Sequence, residues 1–237
     1  MAVRFIAVGE LLVDVISAGA GHGARIRVRP AGSAFNAAVA AADAGASASV
    51  VGTVGDDPAG RMILTELAAR GVHADVTMAE GPTGTFLLAD GEVRVDRGVS
   101  HDLVVPDRIA ADAVLVSGYV AAAGAALAAA DAEWVALDAA NLEQLPAGGN
   151  VVLASGAEDT VHVLAGGRRL AVVTLGPEGA IAVAGERVER ARPVRIAHDA
   201  PGSGDVFAAT LLVALAEGDD LADALARATQ AALDSLA

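Results

Sequence analysis

The chain has 237 residues, enough for one large α/β domain with a sizeable core. It carries 30 acidic against 16 basic residues, a formal net charge of -14, so it lacks the basic footprint that nucleic acid or an anionic membrane surface requires. Cysteine is absent, which removes disulfides and thiolate chemistry and fits a reducing cytoplasm.

In chain order, Arg4 to Gly9 reads as a first strand, and Glu10 and Asp14 behind it interrupt any signal-peptide core. Residues 13–28 read as extended chain, and Ser33 to Asp43 as an alanine-rich helix closed by Gly45. Ala48 to Val54 is a second strand. Asp57-Pro58 then opens a helix that runs to Gly71, with Asp as cap and Pro at its first position. Thr85 to Val95 alternates about Asp90-Gly91, a two-residue hairpin turn. Residues 13–28 and 76–99 are therefore expected to form a small β lid beside the main sheet. Ala113 to Ser117, Trp134 to Asp138, Asn150 to Ala154 and Leu170 to Leu175 read as further strands. The uncharged stretch from Ala113 to Ala130 is not a membrane span, because it holds Ser117, Gly118, Tyr119 and Gly124 and its second half is nearly all alanine. Asp205 to Glu217, ended by Gly218, and Leu221 to Leu236 are the last two helices. Repeated strand–helix units give a doubly wound, mainly parallel sheet with helices on both faces, and no linker divides residues 1–237.

The most informative stretch is Asp199-Ala-Pro-Gly202-Ser203-Gly204-Asp205, which runs straight into an apolar helix. Two glycines about one small residue let backbone N–H groups converge at a helix start, a seat for an anion such as phosphate. A carboxylate beside that seat repels a resting phosphate, yet it can take a proton from a hydroxyl that attacks it. The local chemistry therefore suggests phosphoryl transfer to an alcohol, while an ordinary Asp-capped turn would leave the same string. A second constellation lies early: Gly9-Glu10-Leu-Leu-Val-Asp14, then Ala31-Gly32-Ser33-Ala-Phe-Asn36, then Val51-Gly52-Thr-Val-Gly55-Asp56-Asp57-Pro-Ala-Gly60. Asp14 falls just after the first strand, where clefts open in parallel sheets, and can accept from paired hydroxyls. Gly32 permits close approach of a ligand, and Asn36 follows one helical turn on.

Together the two ends of the chain resemble the ribokinase-like (PfkB) family of carbohydrate kinases. Gly32 to Gly60 resembles its N-terminal signature and Asp199 to Gly218 its C-terminal one. Val173-Thr174-Leu-Gly176-Pro-Glu-Gly179-Ala resembles the family's nucleotide-side motif, and Arg97-Gly98-Val-Ser100-His-Asp-Leu the segment after the lid strands. The resemblance implies a ribokinase-like fold and ATP-dependent phosphorylation of a hydroxyl on a small sugar or related polyol. It implies Asp205 as general base and Gly202, Ser203 and Gly204 as an anion hole. It further implies Asp14, Gly32, Ser33 and Asn36 at the substrate, and Thr174, Gly176 and Gly179 at the nucleotide. Mg²⁺ would travel with ATP, and Asp199 would lie near a loop for a monovalent cation such as K⁺. A nucleoside acceptor, or a ligand-binding protein with weakened catalysis on the same fold, are the rival readings.

The chain also departs from the family pattern. Ala31 replaces the first glycine of a Gly-Gly pair, and Ala200-Pro201 removes a threonine. Ala157 and Thr160 fall where Asn-x-x-Glu is expected, with Glu158 or Asp159 as possible substitutes, and Asp138-Ala-Ala-Asn141 is a remnant of Asp-x-Asn-x-Arg. The five histidines show no metal spacing. Trp134 and Tyr119 read as packing residues, and Arg94 and Arg97 as exposed charge in preference to contacts with substrate or a partner subunit. Phe86 either packs the lid or faces a sugar. An apolar lid face with Phe86, Leu87 and Leu88 is expected to support a homodimer.

Overall fold

A computed structural model describes residues 1–19, 22–139, 144–192 and 202–235. The chain begins with β1 (Arg4–Val8), β2 (Leu12–Ala18), β3 (Arg25–Ala31), α1 (Ser33–Asp43), β4 (Ser47–Gly55), α2 (Pro58–Ala69) and β5 (His73–Ala79). It continues through β6 (Thr83–Ala89), β7 (Glu92–Gly98), β8 (Ile109–Ala110), β9 (Ala113–Ser117), α3 (Ala123–Ala129), β10 (Ala130–Asp131), β11 (Trp134–Asp138) and β12 (Val151–Ser155). It closes with α4 (Thr160–Leu164), β13 (Leu170–Thr174), β14 (Ala180–Ala184), β15 (Arg187–Ala191), α5 (Ser203–Glu217) and α6 (Leu221–Asp234).

Nine strands form one sheet in the order β15-β14-β13-β12-β11-β9-β1-β4-β5. Its pairings are parallel except at one edge, where β13, β14 and β15 run as antiparallel neighbours. Side chains alternate across this sheet as the strand period requires. Phe5, Ala7, Ala113 and Leu115 enter the core shared with α1, α2, α5 and α6. Val8, Val114, Val116 and Leu137 enter a second core under α3 on the opposite face. α5 is apolar nearly all round, from Phe207 to Leu215, because it is buried between the sheet and helices α1 and α6.

Four strands, in the order β3-β2-β6-β7, make a separate lid sheet. Asp90 (φ 54) and Gly91 (φ 79) both adopt the left-handed conformation that a two-residue turn of the expected kind needs. The lid differs from expectation at one end. Residues 76–79 belong to β5, which pairs in parallel with β4 at the edge of the large sheet, Gly52 opposite Val76. The lid hairpin therefore starts at Thr83. The lid's base is tied to the body by Asp57. This residue caps α2 through the Gly60 N–H at 2.8 Å and also accepts from the Thr83 backbone and hydroxyl, each at 2.8 Å. Among the described residues no helix is long and apolar enough to cross a membrane.

Candidate active site

The first residues of α5 set the centre of the site. Gly202 caps the helix at φ +95, a conformation that disfavours any side chain, and a Cβ there would meet Asn36 Nδ2 at 2.9 Å. Ser203, Gly204 and Asp205 form the first turn of the helix, the place where backbone N–H groups and the helix dipole can meet an anion. Asp205 stands in this first turn, half-buried, and its Oδ2 accepts from Asn36 Nδ2 at 2.8 Å. Asn36 lies one turn into α1, and α1 packs against α5. The early and late signatures of the sequence therefore meet at one hydrogen bond across 169 residues of chain.

The helix dipole and the Asn36 amide both favour an ionised Asp205. Burial opposes them and wins, assisted by the carboxylates of Asp138, Glu10 and Asp14, and the Asp205 pKa is pushed up to about 8. A carboxylate with that pKa is a far better proton acceptor near neutrality than an ordinary aspartate.

Asp205 lies on a cleft of about 530 Å³ that runs between the large sheet and the lid. At one end Asp14, on β2, is only 5% exposed and accepts from Arg29 Nη2 at 2.9 Å. Burial pushes its pKa up, and Arg29 pulls against that. Gly32 sits behind it at φ +104, where a Cβ would lie 2.4 Å from the Glu10 carbonyl oxygen, so only glycine lets α1 start so close to the loop after β1. Ser33 donates to Ser117 Oγ at 2.8 Å, at the carboxyl end of β9. At the other end the hydroxyls of Ser155 and Thr174 are 2.8 Å apart on the adjacent strand ends of β12 and β13.

Of the residues expected from the sequence, Asp14, Gly32, Ser33, Asn36, Thr174, Gly202, Ser203, Gly204 and Asp205 all line this one cleft. Gly176 and Gly179 do not. They bound a short 3₁₀ turn beside a second cavity of about 310 Å³, walled by Glu158, Pro177, Glu178, Arg190 and Arg192. Asp199 and Asn141 lie outside the described residues.

The cleft also holds residues to which the sequence reading gave no site role, Asp138, Glu10 and Tyr119, and two for which it left one open, Arg97 and Phe86. Asp138 ends β11 and reaches the cleft by the same rule that placed Asp14, at the carboxyl end of a parallel strand. Glu10 is buried and accepts from Arg97 Nε at 2.6 Å. Arg97 is thus a cleft residue and not free surface charge, and Tyr119 lies under it, 5.4 Å from guanidinium carbon to ring centre. Burial, then the charges of Asp138 and Asp205, push the Tyr119 phenol up. Phe86 faces the cleft from the lid, in register with Asp14. Trp134 packs as expected, at the far end of its strand, under the Arg169 guanidinium.

Among the described residues no group of three or more His, Asp or Glu is arranged to hold a metal. A Mg²⁺ ion that arrives with a nucleotide needs only one or two carboxylates beside its phosphates, and Asp138 in the cleft meets that requirement. Glu158 does not reach the cleft. It is exposed and paired with Arg190, which holds its carboxyl below the usual range.

This fold, with a helix-start anion seat, a basic carboxylate and a polar cleft under a lid, defines a phosphotransferase-like architecture. The family model of the pfkB carbohydrate kinases matches residues 4–136 and 152–233, and the chain belongs to that family. A ribokinase of Bacillus subtilis (strain 168) is 40% identical over 87 residues, a match spanning 34% of this chain and 30% of that protein. Solved structures agree on the fold. An adenosine kinase from Sinorhizobium meliloti superposes with a TM-score of 0.80 at 21% identity, covering 98% of this chain and 93% of the other. A fructokinase from Vibrio cholerae O395, solved with fructose, ADP and calcium ion, gives 0.79 at 21% identity, covering 99% and 92%.

Proposed function

We propose that the chain transfers the terminal phosphoryl group of ATP to a hydroxyl of a small sugar or related polyol, with Asp205 as general base. The observation that carries this reading is the Asp205–Asn36 hydrogen bond at the start of α5, in the same cleft as Asp14. In the step, the acceptor O–H proton passes to the Asp205 carboxylate. The acceptor oxygen bonds to the terminal phosphorus, and the bond from that phosphorus to the ADP oxygen breaks. Asp14 accepts hydrogen bonds from acceptor hydroxyls and so orients the reacting one. The N–H groups of Ser203 and Gly204 meet the charge of the transferring group, the kind of positioning and charge stabilisation on which phosphoryl transfer relies. Asp138 would hold Mg²⁺, which neutralises phosphate charge when bound. Ser155 and Thr174 would donate at the nucleotide end. The fructokinase solved with ADP and a divalent ion supports nucleotide and metal as co-substrates.

The departure at Ala157 and Thr160 favours a second reading, a sugar-binding protein with weakened catalysis. ADP release measured across pentoses, hexoses and nucleosides tests the two. Turnover that disappears in Asp205→Asn supports the kinase. Saturable sugar binding without turnover supports the alternative. A homodimer through the lid belongs to the same proposal; Phe86, Leu87 and Leu88 are half-buried, and its support is the exposed apolar pair Ile26 and Val28 on β3. A monomeric mass in solution removes it.

A further inference from the structure

The cleft holds one ion pair that the transfer step does not use. Glu10, in the loop after β1, is 4% exposed, and Arg97 closes β7 on the lid. Their contact at 2.6 Å joins the body to the lid across 87 residues. Among the described residues lining the cleft, Arg97 is the sole basic side chain, set against Glu10, Asp14, Asp138 and Asp205. Arg29, the counterion of Asp14, binds it from β3 and does not line the cleft. Arg97 is itself committed, with Nε on Glu10 and its guanidinium over Tyr119. An anionic acceptor entering this end meets the carboxylates of Glu10 and Asp14, and among the described residues their cations, Arg97 and Arg29, each already face a carboxylate. An uncharged acceptor meets acceptor oxygens instead. Asp14 Oδ1 and Glu10 Oε2 carry no hydrogen bond from the described residues, and a hydroxyl is the donor they lack.

We infer that Glu10, by occupying Arg97, fixes the charge class of the acceptor: an uncharged polyol is admitted and a sugar acid is rejected. The inference rests on the kinase reading for its reaction but not for its test, because binding reports on it without turnover. Calorimetric titration and ADP release are measured with matched probes, D-ribose against D-ribonate and D-glucose against D-gluconate, with D-fructose and adenosine as further uncharged probes. The wild-type protein is expected to bind at least one uncharged probe and to bind the aldonates weaker by on the order of 100-fold. Glu10→Gln removes the opposing charge and leaves Arg97 in place, and this gap should shrink to within about tenfold. The double variant Glu10→Gln/Arg97→Gln loses both charges and should gain no aldonate binding. A merely structural latch would lower the Tm of Glu10→Gln and leave the gap unchanged, which overturns the inference. So does a wild-type protein that takes an aldonate as readily as its parent sugar, or that takes none of the uncharged probes. That wild-type comparison decides the matter even where Glu10→Gln does not fold. Selective binding of an uncharged probe without ADP release would instead strike the kinase reading alone.

Discussion

The two ends of the cleft are built to different tolerances. At the α5 and lid end, four polar pairs join different elements: Asn36 on Asp205, Arg29 on Asp14, Arg97 on Glu10 and Ser33 on Ser117. Two glycines there are forced, since a Cβ at Gly32 would strike backbone and one at Gly202 would meet Asn36, both at positive φ. At the β12 and β13 end, Ser155 is exposed, and its hydroxyl pairs with that of Thr174 from the neighbouring strand. The contrast suggests where precision matters. An acceptor hydroxyl must be placed against a base to within a fraction of an ångström, whereas a phosphate chain with its own metal can be held by a few donors and a helix start.

The sharpest way to break the comparison is Asp205→Asn, because it removes one proton acceptor and little else. Turnover should fall by about 10²- to 10⁴-fold, while acceptor affinity from calorimetry stays within a few-fold. The wild-type rate should also rise with pH and level off above about 8, since the base works only when ionised. Stability moves the other way. The folded pKa is raised above the unfolded value of about 3.9, so Asp205 favours folding fully below pH ~4 and that contribution is lost as pH rises towards 8. Asp205→Asn should therefore melt higher than wild type at pH 8 and show less difference at pH 4. A variant that melts lower at both would mean that the carboxylate is not destabilised by its surroundings.

Gly32→Ala tests the tolerance of the acceptor end without touching a polar group. The added Cβ has backbone on one side and a left-handed φ on the other, a combined cost of about 3 kcal/mol, or roughly 6–12 °C in Tm. An unchanged Tm would show that the loop after β1 yields easily and that the end is not tightly built. A smaller effect is expected at the other end. Thr174→Val removes one donor of the Ser155–Thr174 pair and should raise the KM for ATP by about 2- to 10-fold with kcat little changed.

The same contrast governs what could be seen in the sequence. Local chemistry was legible: the Asp90-Gly91 turn, the Asp57-Pro58 helix start, and the glycine turn ahead of α5 all announce themselves within a few residues. The meeting of Asp14, Asn36 and Asp205 in one cleft followed from two signatures at opposite ends of the chain. Pairings across long separations left less trace. β5 alternates like a lid strand and gives no local sign that its partner is β4. Arg97 follows an alternating hairpin, so it reads as solvent-facing charge until the lid folds it over Glu10. Tyr119 reads as packing because the ring lies in the turn after β9 and the arginine that covers it comes from the lid strand β7. β14 and β15, joined about Gly185, are a short antiparallel edge that interrupts the strand–helix rhythm.

The smallest expected effect is also the most pointed. Glu158 stands within the four-residue window where the family places a carboxylate, and by sequence alone it is a candidate to replace it. Its geometry argues otherwise. It is exposed, it pairs with Arg190 of β15, and it lines the second cavity and not the cleft that holds Asp205. Exposed ion pairs of this kind contribute little to stability, because two long side chains must be fixed in water that already screens them. Glu158→Ala should therefore leave both the Tm and the Mg²⁺ concentration needed for half-maximal rate unchanged within replicate error. Asp138→Asn, at the cleft, should raise that Mg²⁺ requirement. If Glu158→Ala raises it instead, the metal lies towards the second cavity, and the looser end of the cleft extends farther along β13 than Thr174.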